Sequence, residues 1–357
     1  LSMHRKQVKE TKASDKEDDS AGDSHAEGFQ QTTHKGKMKI DATCTDAEVR
    51  YPTDINILED CSRVIDRLTQ KLSAKAAVAS PRTHRGEARL CFVRYTKQKH
   101  KGTKLIRDTK KLLLHLLSID IQRFITLIGK LSTAVLSCLN RKDLRNLSAI
   151  RKAYEQQKYM YDNRTHSVPD RIVSVSQPFV RPIVRGKAGK PVEFGAKLDI
   201  SVVDGWTRLE CCSFDAYNEA GNLREMAERF RAREGHYPSR ILADKIYRNR
   251  ENLSYCKARG IHLSGPALGR PKKGETRDKA QDYRDECERV EVERRFSLAK
   301  RKCGMGLVTA KLRETAAHVI AMSVLVLNLR KIQCVFLKLL TYLLAIFVPA
   351  EKWAIVQ

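Results

Sequence analysis

The stretch Ile241-Leu242-Ala243-Asp244-Lys245-Ile246-Tyr247-Arg248-Asn249-Arg250-Glu251-Asn252 opens as a short apolar strand and closes that strand on an acid. A helical pattern from about Leu223 to Arg233, stopped by Gly235, precedes it, and a second short strand, Ile261-His262-Leu263, follows. Short buried strands alternating with helices describe an α/β architecture, in which acids at strand ends project into the crevice where such sheets place their chemistry. The same device occurs near the start, where Met38-Lys39-Ile40-Asp41-Ala42-Thr43 alternates in polarity around Asp41. Between the two acids, Ile172 to Val175, Leu198 to Val203 and Trp206 to Cys212 also read as strands, the last two joined by an Asp204-Gly205 hairpin turn.

On the N-terminal side, residues 1–36 are polar and of mixed charge, with too little apolar content to offset the entropy of ordering, and read as a disordered arm. Residues 37–54 hold the first strand. Tyr51-Pro52-Thr53-Asp54 then opens a helix through Ile57, Leu58, Cys61, Val64, Ile65 and Leu68. Further helices are expected from Leu112 to Leu131 and from Leu144 to Met160, so that 55–168 forms a helical, basic block. Residues 169–331 return to strands, followed by a charged helix from about Lys279 to Lys302 and an apolar one from Thr309 to Lys331. Residues 332–357 form an apolar tail, broken by Gln333 and Lys338, that suits a helix packing on the core or on a partner better than a membrane span.

Composition narrows the function classes. In 357 residues, 68 Lys plus Arg stand against 42 Asp plus Glu, a net charge of +26 that calls for a polyanionic partner, double-stranded DNA before a membrane. The ten cysteines include no CxxC pair, and the ten histidines no HxxH or HExxH spacing, which argues against zinc sites and disulfide scaffolds. No GxGxxG or GxxxxGK[ST] loop is present, so nucleotide-driven chemistry has no support. Residues 82–111 carry eleven basic and two acidic side chains, suited to a DNA backbone. Arg181, Arg185, Lys187 and Lys197, interleaved with Gly186, Gly189 and Gly195, suit phosphate contact from a mobile loop, and Arg248 and Arg250 follow Asp244 closely enough to position DNA.

Asp41 and Asp244, with Glu293 inside the helix-forming segment Arg289 to Lys302, offer three hard oxygen ligands of the kind a pair of Mg²⁺ ions needs. Arg289, Glu293 and Lys300 fall on one helical face, whereas Glu291, the rival acid, points to another.

Around these acids lie linked segments: Asp41-Ala42-Thr43 with Tyr51-Pro52-Thr53-Asp54, Arg181-Pro182-Ile183-Val184-Arg185-Gly186-Lys187, Glu193-Phe194-Gly195-Ala196-Lys197, Asp215-Ala216-Tyr217-Asn218-Glu219, Asp244 to Asn252, and Leu268-Gly269-Arg270-Pro271. In this order, from about residue 38 to 331, they resemble bacterial insertion-sequence DDE transposases. The resemblance implies an RNase H-like mixed sheet flanked by helices, with the large helical block inserted after the first strand. It implies Asp41, Asp244 and Glu293 as catalytic acids binding two Mg²⁺ ions, for which Mn²⁺ can substitute. It also implies DNA cleavage at element ends followed by strand transfer, homo-oligomers on DNA, no membrane partner, and a cytoplasmic, nucleoid-associated location. A related signature in that superfamily spaces Tyr, Arg, Glu and Lys as Glu286, Arg289, Glu293 and Lys300 are spaced here, with Glu286 in the tyrosine slot; Arg289 and Lys300 then position DNA or the catalytic helix. The substitution at 286, the start at Leu1 and the lack of a visible N-terminal helix-turn-helix make a truncated, inactive DNA-binding remnant the alternative expectation.

Overall fold

The computed structural model describes residues 34–187, 190–266, 268–269 and 278–347, apart from the side chains at 185–187, 190 and 347. Most of the expected arm at 1–36, Arg270 and Pro271, and the tail beyond 347 therefore lie outside the described residues, as do the side chains of Arg185 and Lys187.

The first strand, β1 (Lys37–Ala47), is longer than its sequence pattern suggested and is the axis of a seven-stranded mixed sheet. Its antiparallel neighbour is β3 (Lys190–Val203), in register from Lys39↔Val202 to Asp46↔Gly195. Both are long enough to carry two short partners each on their outer edges. Along β3 these are β2 (Arg181–Lys187) and β4 (Trp206–Ser213); along β1 they are the parallel strands β5 (Arg240–Leu242) and β7 (Leu307–Val308). Strand β6 (His262–Leu263) adds to β5, also parallel. The β3–β4 turn is the expected Asp204-Gly205, both residues in the left-handed region with φ of 48° and 73°, as a two-residue hairpin matched to strand twist requires.

Alternation along β1 assigns the two faces. Met38 and Ile40 point to one side and pack with Leu223, Met226 and Phe230 of α6 (Leu223–Glu234) and with Cys256 of α7 (Arg250–Ala258). Ile200, Leu198 and Val202 of β3 point to the other side, under Val292, Phe296 and Ala299 of α8 (Lys279–Lys302) and Ile320, Val324 and Leu327 of α9 (Arg313–Phe347). Each fully buried Leu, Ile, Val, Met or Phe among them contributes roughly 1.5–3 kcal/mol.

Between β1 and β2 the chain forms five helices, α1 (Asp54–Ala76), α2 (Arg85–Lys97), α3 (Thr103–Gly129), α4 (Thr133–Leu136) and α5 (Arg141–Asp162). They share one apolar cluster, built on Leu58, Ile65, Leu72, Leu113, Leu117 and Ile150. Thr53 caps α1 as read from the sequence, its Oγ1 accepting from Asn56 N at 3.2 Å. Part of the basic run is internal to this block: Lys110 is buried on Asp54 at 2.9 Å and Arg85 holds the buried Glu59 at 2.7 Å. Arg89, Arg94, Lys97, Lys99, Lys101, Lys104 and Arg107 remain exposed.

Three expectations need correction. Ile172–Val175 is buried but forms no strand: Ile172 and Val175 enter the helical cluster while Val173 enters the sheet cluster, and the Ile172 amide donates to Gln156 Oε1 at 2.9 Å rather than to a neighbouring strand. The Gly-rich cationic stretch from Arg181 is not a mobile loop but the paired strands β2 and β3. The expected break at residue 331 is absent, and α9 runs unbroken for 35 residues, because neither Gln333 nor Lys338 interrupts helix propensity. Helices α3 and α9 are both long and apolar enough to cross a membrane by length and composition; α3 buries its Leu113, Leu117, Phe124 and Leu127 face in the helical cluster.

Candidate active site

Parallel pairing of β1 with β5 aligns Lys37 with Arg240 and Lys39 with Leu242, and two further residues along each chain bring Asp41 level with Asp244. Asp244 lies just beyond the end of β5, where it caps a short turn of helix, its Oδ1 accepting from Lys245 N at 2.6 Å. Capping and exposure toward the crevice coexist, since a carboxylate has a second oxygen. The following turn is anchored from behind by Asn252, whose Nδ2 donates to the carbonyls of Ala220 and Tyr247 at 2.8 Å each, with Tyr247 itself fully buried.

Helix α8 lies along the face of β1 that carries Asp41, and a row of polar contacts fixes its rotation. From its N-terminal end, Asp285 pairs with Arg240, Glu288 with Lys37 at 2.7 Å, Glu291 with Lys39 at 2.5 Å, and Lys300 Nζ donates to Thr43 Oγ1 at 2.9 Å. In this setting Arg289 comes between two acids, with Nη1 3.2 Å from Glu293 Oε1 and 3.8 Å from Asp41 Oδ2, while Glu286 grips its other edge at 2.7 Å. Glu291, held by Lys39 and by Arg295 at 3.2 Å, is kept below the ordinary carboxylate range by those cations despite its partial burial. Glu293 is left on the Asp41 side.

Asp41 is held in an environment that resists its charge. Burial raises its pKa to about 6, and the like charges of Asp244 and Glu293 add to that rise. The Ala42 amide, which donates to Oδ1 at 2.8 Å, and Arg289 work in the opposite direction without cancelling it. A carboxylate with acidic neighbours and a displaced pKa marks a place where a cation would be favoured.

Among the described residues no three acid, His or Cys side chains stand close enough to form a ready-made metal cage. The donor set nevertheless fits a hard divalent ion in chemistry: Asp41 lies near enough to Asp244 and Glu293 to feel both charges, and the Arg289 guanidinium between Asp41 and Glu293 takes the place of a positive charge.

The other expected DNA contacts divide. Arg289 and Lys300 lie beside the acids, and Arg250 is exposed at the first residue of α7. Lys197 does not reach a DNA surface: it is buried on the opposite face, paired with Glu219 and donating to the Tyr217 carbonyl at 2.7 Å. Arg181 folds back onto the carbonyls of Pro178 and Val180, at 2.6 and 3.0 Å. Arg248 Nη1 donates to the carbonyls of Leu263 and Ser264, tying the segment after Asp244 to β6. Glu286 as the residue gripping Arg289, and Lys39 as the residue occupying Glu291, were not found from sequence. The i, i+3 spacing of Glu286 and Arg289 was a signal for the first; nothing local signalled the second.

Residues 241–330, from β5 into α9, match the family model described as a transposase DDE domain, a span that contains Asp244 and Glu293. Neither the curated proteins nor the solved structures give a match to this chain.

Proposed function

We propose, from the match of residues 241–330 to the transposase DDE domain model, that Asp41, Asp244 and Glu293 form the acid triad of a DNA-cleaving and strand-transferring site on an RNase H-like sheet. The observation that carries this reading is that Arg289 of α8 lies between Asp41 of β1 and Glu293 of its own helix, while Asp41 also feels the charge of Asp244 from beyond the end of β5. The antiparallel run β4-β3-β1 continued by parallel β5 and β6 supports the RNase H-like assignment. The helices between β1 and β2 are then an insertion whose exposed cations, Arg94 to Arg107, hold the flanking DNA.

The three carboxylates would hold two Mg²⁺ ions, or Mn²⁺ in their place. When bound, such ions activate an attacking oxygen and stabilise the leaving oxygen at a phosphodiester. The residues of this chain do the rest. Asp41, already biased against carrying its charge alone, accepts a cation readily. Arg289 keeps Asp41 and Glu293 facing one point, and Lys300, anchored at Thr43 on the same face of β1, places a positive charge along the path of the DNA backbone. Hydrolysis at the element's end frees a 3′-hydroxyl, and attack of that oxygen on target DNA replaces one phosphodiester with another, so no external energy source enters.

The test is nicking of a labelled duplex carrying the element's own end, in Mg²⁺ or Mn²⁺, by wild type beside Asp244→Asn and Glu293→Gln. Loss of cleavage in both variants with DNA binding retained is the expected result. Cleavage without metal, or surviving both substitutions, overturns the assignment. Tight salt-sensitive binding by a wild type that never cleaves identifies an inactive remnant.

A further inference from the structure

Helix α9 has two unlike faces. Ala316, Ile320, Val324 and Leu327 bury it on the sheet, and Asn328 fastens it to β4 through reciprocal hydrogen bonds with the Thr207 amide and carbonyl, at 2.9 and 2.8 Å. A second stripe begins on the opposite side at Met322 and continues past the body of the protein. It alternates steps of three and four residues: Met322, Leu329, Phe336 and Leu343 at one heptad position, Leu325, Ile332, Leu339 and Ile346 at the other. All eight side chains are between 42% and 60% exposed. In the projecting part Arg330, Lys331, Cys334, Lys338 and Thr341 fall on the side away from this stripe, Gln333 flanks it, and the exposed Val335, Leu337, Leu340, Tyr342 and Leu344 widen the apolar surface around it.

We propose that this stripe is a self-association seam, and that its occupant is α9 of a second copy of the chain, packed as a coiled coil. An apolar 3-4 repeat sustained over more than three heptads, with charges confined to the outer positions, is the pattern of helices that supercoil about one another. Area agrees: eight half-exposed large side chains at roughly 80 Å² each offer about 650 Å² per copy, about 1,300 Å² for a pair, within the range of stable interfaces. Charge agrees as well. On a chain of net charge +26 the stripe itself carries no charged residue, so two copies meet there without opposing like charges. Residues 1–33 are polar and contain no apolar repeat that would match it. A lipid bilayer fits less well, because the side from Ala316 to Leu327 is already packed on the sheet. The free stretch after Lys331 is shorter than the ~20 apolar residues a span needs and carries Lys338 within it.

The proposal does not rest on the catalytic reading, and its test uses association rather than cleavage. Sedimentation equilibrium of the full chain without DNA, in 0.5 M NaCl, is run on wild type, on Phe336→Glu/Leu343→Glu and on Thr341→Glu, with circular dichroism to verify that each is folded. Wild type is expected to form dimers or larger assemblies. The double variant, with two acids in the seam, is expected to associate at least ~100-fold more weakly, and Thr341→Glu as wild type does. A monomeric wild type, association that survives the double substitution, or equal loss in Thr341→Glu overturns the seam. Flotation of wild type with phosphatidylcholine–phosphatidylglycerol vesicles, abolished in Phe336→Glu/Leu343→Glu, overturns it in favour of a membrane.

Discussion

Asp41 folds into a place where its ionised form is unfavourable, and the sign of that effect makes it testable. Its pKa stands near 6 in the folded chain against an ordinary 3.8. The folded state therefore holds the proton through the interval from about 4 to 6, and stability declines as pH rises across it. Asp41→Asn, which removes the charge and keeps the shape, is expected to melt higher than wild type at pH 8, by up to ~3 kcal/mol at 1.36 kcal/mol per pKa unit. The two proteins are expected to converge near pH 4; thermal melts from pH 4 to 8 check both, and a variant less stable than wild type at pH 8 contradicts the environment described. Because proton and cation compete for the same carboxylate, calorimetric Mn²⁺ affinity is expected to fall as pH is lowered through about 6. Arg289→Ala removes the nearest cation acting on Asp41, and so moves that acid limb to higher pH.

At the scale of elements, the rotation of α8 decides which of two neighbouring glutamates faces Asp41. The Lys39–Glu291 and Lys37–Glu288 pairs on one side and Lys300–Thr43 on the other set that rotation. Glu293→Gln is expected to cost ~10²–10³-fold in cleavage rate, as removal of a group acting on the transition state does, and Glu291→Gln only a small factor; the reverse order would reassign the acid. The sheet itself depends on one close approach. A Cβ at Gly195 would sit 1.8 Å from the Thr45 carbonyl oxygen and 2.9 Å from the Ala47 amide nitrogen, both backbone atoms of β1. Gly195→Ala must push β1 and β3 apart at that end and is expected to destabilise the fold by about 3 kcal/mol in urea denaturation.

For the molecule as a whole, the net charge of +26 acts through the cations that remain outside. Lys99, Lys101 and Lys104 are exposed on the helical block, whereas Lys110, Arg85 and Lys197 are held internally by acids. Substituting Lys99, Lys101 and Lys104 by Gln is expected to weaken DNA binding at all sequences alike. The slope of log affinity on log salt should become shallower by about 3, near 0.9 for each phosphate that the variant no longer neutralises. An unchanged slope, read from binding isotherms at several salt concentrations, would take DNA binding away from this block.

Whatever depends on neighbours along the chain was legible in the amino-acid order. The period-two strands around Asp41 and at Leu198–Val203, the Asp204-Gly205 turn, the Thr53 cap and the α8 limits all follow from local steric and hydrogen-bonding preferences. So did the shared face of Arg289, Glu293 and Lys300, since helical spacing is fixed. Which cations stay available was settled by packing in three dimensions, because a lysine is placed by the acid it meets: Lys197 met Glu219 from a segment 22 residues away and was buried. Packing also divided Ile172–Val175 between two cores instead of joining it to a sheet, since an apolar run records only that it is buried and not what it is buried against. It brought Asp41 and Asp244 level as well, through a parallel register between strands some two hundred residues apart, which no local pattern encodes.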